Sequence, residues 1–556
     1  MNKKRKMKIG LRNVVVVWGM LLLGFSALAQ TDYNVDGEVQ DAEIIIEKER
    51  KIELNKEYKL YEFIKWKPER TTPASKPSEF KWYVYDVANE PMQFEPAKAT
   101  IKQKDRSYQH YGKAGFGNYA SPILDVSLTS VDDPNQMVGI NIKHESFETG
   151  AVDDDNSGAA ATEVNLYGVL LRETIKLESA LNYSLEKNYY YGYPAGTAVN
   201  KGDIKHSGNF LNFNLEGSDS RLDDVWGVKA GFNFRHYSDN FNANENTFSF
   251  DISGSYTENI FLETEVRLSQ YKDTGIDESR SYFRLNPYYR LRIDELKLDV
   301  GLSFSIQNDD LPDLSSNKIF PYARASYPLT PDYTVFAQLD GGYTFNSLYD
   351  FASEVGVLNQ SVGVANSERL FDLSGGIAGN PMEKLSLEAC VSFQSVKYLP
   401  IMVNSIADLS RIDMSFEQEV SNILTFGATG QYEINESHEV SVGLNLYSYH
   451  SKGYDQIYHR PTSVIQISGD HQFVPKLNVN WNFTFMRGIV GLDQNLTDFD
   501  VKLDAISKLD VSLHYQLKEA WGIFLSGENL INKNYSRYLY YPQRGIQIKA
   551  GVTFRL

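Results

Sequence analysis

The chain has 556 residues, 55 Lys and Arg against 72 Asp and Glu, a formal net charge of -17, and one cysteine, Cys390. The negative balance excludes nucleic acid as an expected partner. A lone cysteine excludes an intramolecular disulfide and any cysteine-based metal site, so Cys390 is expected as a small buried residue on a strand.

The first segment runs from a basic stretch, MNKKRKMKIGLRN, through the apolar VVVVWGMLLLGFSALA to a small-residue end at Ala29 and Gln30. Charged, apolar and small residues in that order predict a secretory signal peptide over residues 1–30, too short in its apolar part to serve as a membrane anchor.

Residues 31–105 differ in pattern from the rest of the chain. They hold EIIIEKERKIELNKEYKLYEFIKWKPE, the linker-like TTPASKPSE, and a single strand signal, KWYVYDV. So few apolar clusters can bury little surface, and a periplasmic arm or linker is expected rather than a stable domain.

From residue 106 to Leu556 the chain repeats one device, stretches of about ten residues alternating apolar and polar between turn residues. In one, Trp226, Val228, Ala230, Phe232 and Phe234 share a face, opposite Gly227, Lys229, Gly231 and Asn233. Leu296, Leu298, Val300, Leu302, Phe304 and Ile306 lie opposite Lys297, Asp299, Ser303 and Ser305 in another. The apolar faces carry no charge and the polar faces carry full charges. Lipid on one side and a wet lumen on the other meet both requirements; a soluble sandwich meets neither.

The predicted fold is therefore all-β, a transmembrane antiparallel barrel of about 22 strands in the outer membrane of a Gram-negative cell. The gaps support an even count. Even-to-odd connections such as RET, TEN, IDE, NES and FVP are short. Odd-to-even connections such as FETGAVDDDNSGAA and the stretches 188–205, 346–367 and 398–420 are long. Short turns belong on the periplasmic side and long loops outside. Residues 408–420 also alternate and are assigned to an external loop. Trp226 and Trp521, beside periplasmic turns, are expected in the inner aromatic girdle.

No residue is singled out as catalytic, cofactor-binding or metal-ligating. Asp153, Asp154 and Asp155, and likewise Asp309, Asp310 and Asp313, offer carboxylate oxygens to Ca²⁺. Neither group has a liganding spacing, so solvated loop charge is the expectation. Tyr189, Tyr190, Tyr191 and Tyr193 suit stacking on a sugar or peptide, and more simply the outer girdle. His110, His144, His206 and His236 are scattered along strands with no nucleophile signature near any serine, so no enzymatic activity is expected. The two long loops over 346–367 and 398–420 are partly apolar and are expected to constrict the pore or meet a surface partner.

The C-terminal residues LDVSLHYQLKEAWGIFLSGENLINKNY and YYPQRGIQIKAGVTFRL carry Gly527, Asn529, Leu530, Asn532, Tyr535, Pro542, Arg544 and Gly545, then Ile548, Ala550, Val552, Phe554 and Leu556 at period two. This end resembles that of the TonB-dependent receptors, with Leu556 in place of the usual terminal aromatic. The resemblance implies the barrel, the outer-membrane location, and insertion by the barrel-assembly machinery into outer-membrane lipid. It also implies nutrient uptake or binding, with TonB or periplasmic and surface subunits as partners. The family places a plug domain inside the barrel, larger than residues 31–105 provide, and no plug-like pattern occurs there. AEIIIEKE near the mature N-terminus faintly matches a TonB-contacting box, with a short strand or extended arm the simpler reading. A plugless barrel acting as a scaffold or assembly partner is the alternative. A passive porin of this width would leak.

Overall fold

A computed structural model describes residues 110–556 apart from 134, 153, 195, 220–224 and 497–498. The expected signal peptide, the arm over 31–105 and its AEIIIEKE segment lie outside the described residues, as does the question of a plug.

Twenty-two strands form one antiparallel sheet in which each pairs with its chain neighbours. The ring closes where the first strand, His110–Gly117, pairs with the last, Gln547–Arg555, from Tyr111↔Arg555 to Gly117↔Lys549. The amide of His110 and the carbonyl of Leu556 continue the ladder at 3.0 Å. Closure leaves no edge, the condition for crossing hydrocarbon with strands. No described helix is long and apolar enough to cross a membrane.

The alternation has the physical meaning expected of it. Trp226, Val228, Phe248, Phe250 and Ile252 face outward and are exposed. Their rings pair across strands, Phe232 with Phe250 at 5.1 Å and Phe234 with Phe248 at 4.9 Å, the cross-strand contact that stabilises a sheet face. Trp226 packs on Tyr256 at 4.5 Å and Trp521 on Phe554 at 4.8 Å, both beside periplasmic turns, as an inner girdle requires. This apolar belt fixes the molecule as an outer-membrane barrel.

The opposite face carries charge paired with charge. Arg267 meets Asp251 at 2.8 Å, Arg290 meets Asp299 at 2.6 Å, and Arg284 meets Asp340 at 2.7 Å. Lys549 lies between Glu145 and Glu528. Ions held this way tolerate partial burial because each has an opposite charge and hydrogen bonds.

All 22 expected strands occur, with three differences of extent. Residues 408–420 contain a strand, Ile412–Glu417, that pairs with Leu399–Asn404 as a hairpin outside the barrel sheet. Residues 500–515 form two strands rather than one. Asp500–Lys502 pairs with Val490–Leu492 in a loop hairpin, and the barrel strand begins at Ile506. Period two is common to barrel strands and loop hairpins, so it does not separate them. Ile276–Ile293 runs 18 residues, well beyond one alternating stretch of about ten. Its first residues, IDESRS, stand beyond the apolar belt, where polar side chains suit both faces. Cys390 lies on a strand, Leu385–Lys397, and is half-buried rather than fully buried.

Candidate functional site

The external loops converge across the barrel mouth. The loop between the thirteenth and fourteenth barrel strands carries the one described α-helix, Leu348–Glu354. Ser347 caps it, its hydroxyl accepting from the Asp350 amide at 3.2 Å. Seven residues are too few for a helix to persist alone. Packing holds it: Leu348, Phe351, Ala352 and Val355 are buried in a cluster with Phe210 and Tyr237 of the wall.

Polar contacts fix the same loop. Arg235 of the wall donates to Asp350 at 2.6 Å, and the Tyr349 amide donates to Glu245 at 2.9 Å. Arg280 holds Asp309 through two hydrogen bonds of 2.9 and 2.8 Å, and donates to the Asn346 carbonyl at 2.6 Å and to the Asn366 side chain at 2.7 Å. Tyr190 donates to the Leu358 carbonyl at 2.6 Å and Tyr271 to that of Val362 at 3.0 Å. Arg460 pairs with Glu354 from another loop.

The hairpin of Leu399–Asn404 and Ile412–Glu417 lies against this loop. The Asn359 amide donates to the Ile412 carbonyl at 2.8 Å, and the Ile412 amide to that of Val357 at 3.1 Å. Its tip carries Arg411, whose guanidinium stands 4.6 Å over the Tyr190 ring. Tyr190 follows the fifth barrel strand, Ile175–Tyr189. Arg411 lies between the fifteenth and sixteenth, Leu385–Lys397 and Ser421–Asn435. Ten to eleven steps in a ring of 22 is half the circumference, so this contact bridges the mouth from side to side.

The C-terminal motif supplies the other clamp. Its residues after Glu528 form the last external loop, with Asn529 in the left-handed region (φ 52°) and its side-chain amide donating to the Arg544 carbonyl at 3.0 Å. From this loop Tyr541 donates to the Ser410 carbonyl, Tyr538 to that of Glu354 at 3.1 Å, and Arg537 to that of His459 at 2.7 Å. His459 is fully buried with φ of 57° and donates from Nε2 to the Asn404 Oδ1 at 3.1 Å. Burial, reinforced by Arg537 and Arg460, lowers its pKa to about 3, so it stays neutral.

Two sequence expectations are corrected. Asp309 is not solvated loop charge; it is buried and paired with Arg280. Asp310 and Asp313 do not join that pair, and Asp313 sits in a left-handed turn (φ 57°). Tyr190 and Tyr191 do not belong to the outer girdle. Tyr190 is 1% exposed inside the cap, and Tyr191 packs edge-on to Tyr541 at 4.7 Å and donates to the Pro542 carbonyl at 3.2 Å. The Tyr189 ring meets Lys201 at 5.4 Å, and Tyr193 accepts from Asn156 at 3.1 Å.

Of the acidic run, Asp153 is outside the described residues and Asp155 meets Lys201 at 3.3 Å. His144 bonds Thr162 at 2.8 Å, His236 bonds Asn246 at 2.9 Å and His206 meets the Gly356 carbonyl at 3.0 Å. The structure does not bring these histidines together. No group of three or more potential metal ligands occurs among the described residues. Arg280, Arg411, His459 and Tyr541 were not singled out from sequence; the partners that tie them into the cap are 29 to 221 positions away.

No protein-family model matches the sequence, and no curated protein matches it. Solved structures do. The ferric-catecholate import receptor Fiu of E. coli K12 superposes with a TM-score of 0.58 at 9% identity, covering 83% of this chain and 84% of that one. The siderophore receptor PiuA of Acinetobacter baumannii gives 0.59 at 10%, covering 82% of each chain. The FrpB iron transporter of Neisseria meningitidis gives 0.60 at 11%, covering 81% and 82%. At such identities the likeness is one of fold. The fold is that of a large, closed outer-membrane β-barrel. More narrowly, it is the barrel architecture that these solved proteins share, the fold expected from the C-terminal motif.

Proposed function

We propose that this chain is a surface receptor that binds a nutrient outside the cell and admits it through the barrel by displacing the loop cap. Residues 1–30 direct export, residues 31–105 form a periplasmic arm that makes the energising contact, and residues 106–556 form the barrel. The observation that carries the reading is the bridge from Arg411 to Tyr190 across the mouth. A barrel built for passive diffusion gains nothing from loops clamped over its entrance. A receptor needs such an entrance, because an open lumen of this width would leak.

The similar receptors named above import ferric catecholates, bind siderophores or transport iron by their descriptions, so an iron chelate is the first ligand class to test. Cells lacking the gene and complemented with it are supplied with labelled ferric siderophores, with and without active TonB. Uptake that needs both the chain and TonB supports the reading. Crosslinking from residues 31–105 then identifies the periplasmic partner. Recovery of assembly subunits in place of TonB, with no uptake, rejects it in favour of a scaffold.

A further inference from the structure

The lipid-facing wall carries one polar constellation that uptake does not use. Strands His438–His450, Ser463–Val474 and Leu477–Arg487 pair so that His438 stands opposite His471, and Gly469 opposite Trp481. These residues share the outward face with Val442, Leu446 and Phe473, all exposed. His438 opens its strand directly after a periplasmic turn, as Trp226 and Trp521 open theirs. The group therefore sits at the inner membrane-water interface of the barrel.

The geometry fixes where the protons are. Trp481 Nε1 donates to His471 Nε2 at 3.0 Å, and His471 Nδ1 lies 3.2 Å from His438 Nδ1. An indole nitrogen only donates. His471 Nε2 is thus the acceptor, and in the neutral ring its proton is on Nδ1. That N–H points at His438 Nδ1, which must accept, so the proton of His438 is on Nε2. The relay ends in one N–H at the interface, and among the described residues none accepts from it. Gly469 leaves the space: a Cβ there would lie 2.5 Å from Trp481 Nε1 and 2.7 Å from His471 Nε2. Phe473, 61% exposed, has its ring 5.4 Å from that of His438 and offers apolar surface beside the donor.

We infer that this relay is a binding site for the phosphate of an inner-leaflet phospholipid, which accepts from His438 Nε2 while its glycerol and acyl chains lie against Phe473. The same Nδ1 spacing suits two ligands of Zn²⁺. Zinc would need the His471 Nδ1 lone pair, moving the proton to Nε2 to face the Trp481 N–H, donor against donor. The indole therefore selects the lipid over the metal.

Native mass spectrometry of the full mature chain, released from phosphatidylethanolamine nanodiscs, tests this. Retention of one phospholipid is expected to fall about fivefold in His438→Phe, the loss of one hydrogen bond. It should survive in His438→Gln, which keeps an N–H donor. Heat-modifiable gel migration checks that each variant is a closed barrel. Equal retention in wild type and His438→Phe overturns the site. So does displacement of the lipid by inorganic phosphate, which would make it a free-anion site. Stoichiometric Zn²⁺ binding lost in His438→Phe overturns it as well.

Discussion

Arg411 stands 4.6 Å over the Tyr190 ring although the two belong to opposite walls of the barrel. The contact is a cation–π pair that also includes Phe241, at 5.7 Å, and the Arg411 fork is held from behind by Asp408 at 3.0 Å. Such a pair contributes about 0.5–2 kcal/mol, enough to bias a loop without locking it. Arg411→Ala is expected to leave the barrel folded and to raise the frequency of open events in planar-bilayer recordings several-fold. Recordings indistinguishable from wild type would mean that the mouth is held shut elsewhere.

Arg280 is the deeper anchor, because it is buried and joins Asp309, Asn346 and Asn366 in one network. Arg280→Met leaves the Asp309 carboxylate buried without its counter-charge. Breaking such a pair costs about 3–5 kcal/mol, which falls on docking of the 346–366 loop. The variant should be cleaved in that loop by added protease while the wild type resists. The double variant Arg280→Met with Asp309→Leu should recover part of the resistance.

His459 makes the cap sensitive to acid. Its pKa in the folded protein is about 3, below the usual histidine value near 6.5. The unfolded cap therefore binds the proton first, and its stability, complete above about pH 6.5, falls as the pH drops toward 3. The protection factors of residues 451–462, with exchange corrected for its intrinsic dependence on pH, should be lower at pH 4.5 than at pH 7.5. His459→Gln should flatten that difference, and a slope unchanged in the variant would assign the titration to another group.

The lipid face can be tested directly against the lumen face. Leu166 is 42% exposed on the outer side of Ala159–Leu171. Leu166→Arg should destabilise the barrel by about 2–4 kcal/mol in vesicles, the cost of a cation facing hydrocarbon. Asn165→Arg, on the adjacent lumen-facing position, should cost little when both variants are unfolded by urea in those vesicles.

The barrel was legible because each strand repeats the same two-sided demand. Val228 and Lys229 answer to lipid and water independently of what any other strand does, and the sum of many such positions is robust. The cap was not legible for the opposite reason. Asp309 read as solvated because nothing near it in sequence shows Arg280, 29 positions earlier, reaching it through the fold. Tyr190 and Tyr191 read as girdle residues because a tyrosine at the end of a strand suits an interface as well as a loop core. Only the positions of Leu358 and Pro542 decide between them. The C-terminal motif lay between these cases. Its residues were recognised as a pattern, but their work, docking Tyr538 and Tyr541 onto loops from distant strands, appears only in three dimensions.

Because the lid is assembled from segments donated by distant arcs of the wall, it is complete only when the ring is joined. The seam between His110–Gly117 and Gln547–Arg555 brings the loop after the fifth strand beside the last loop, where Tyr191 meets Pro542. A chain whose seam is open therefore lacks one of the ties that hold its mouth covered.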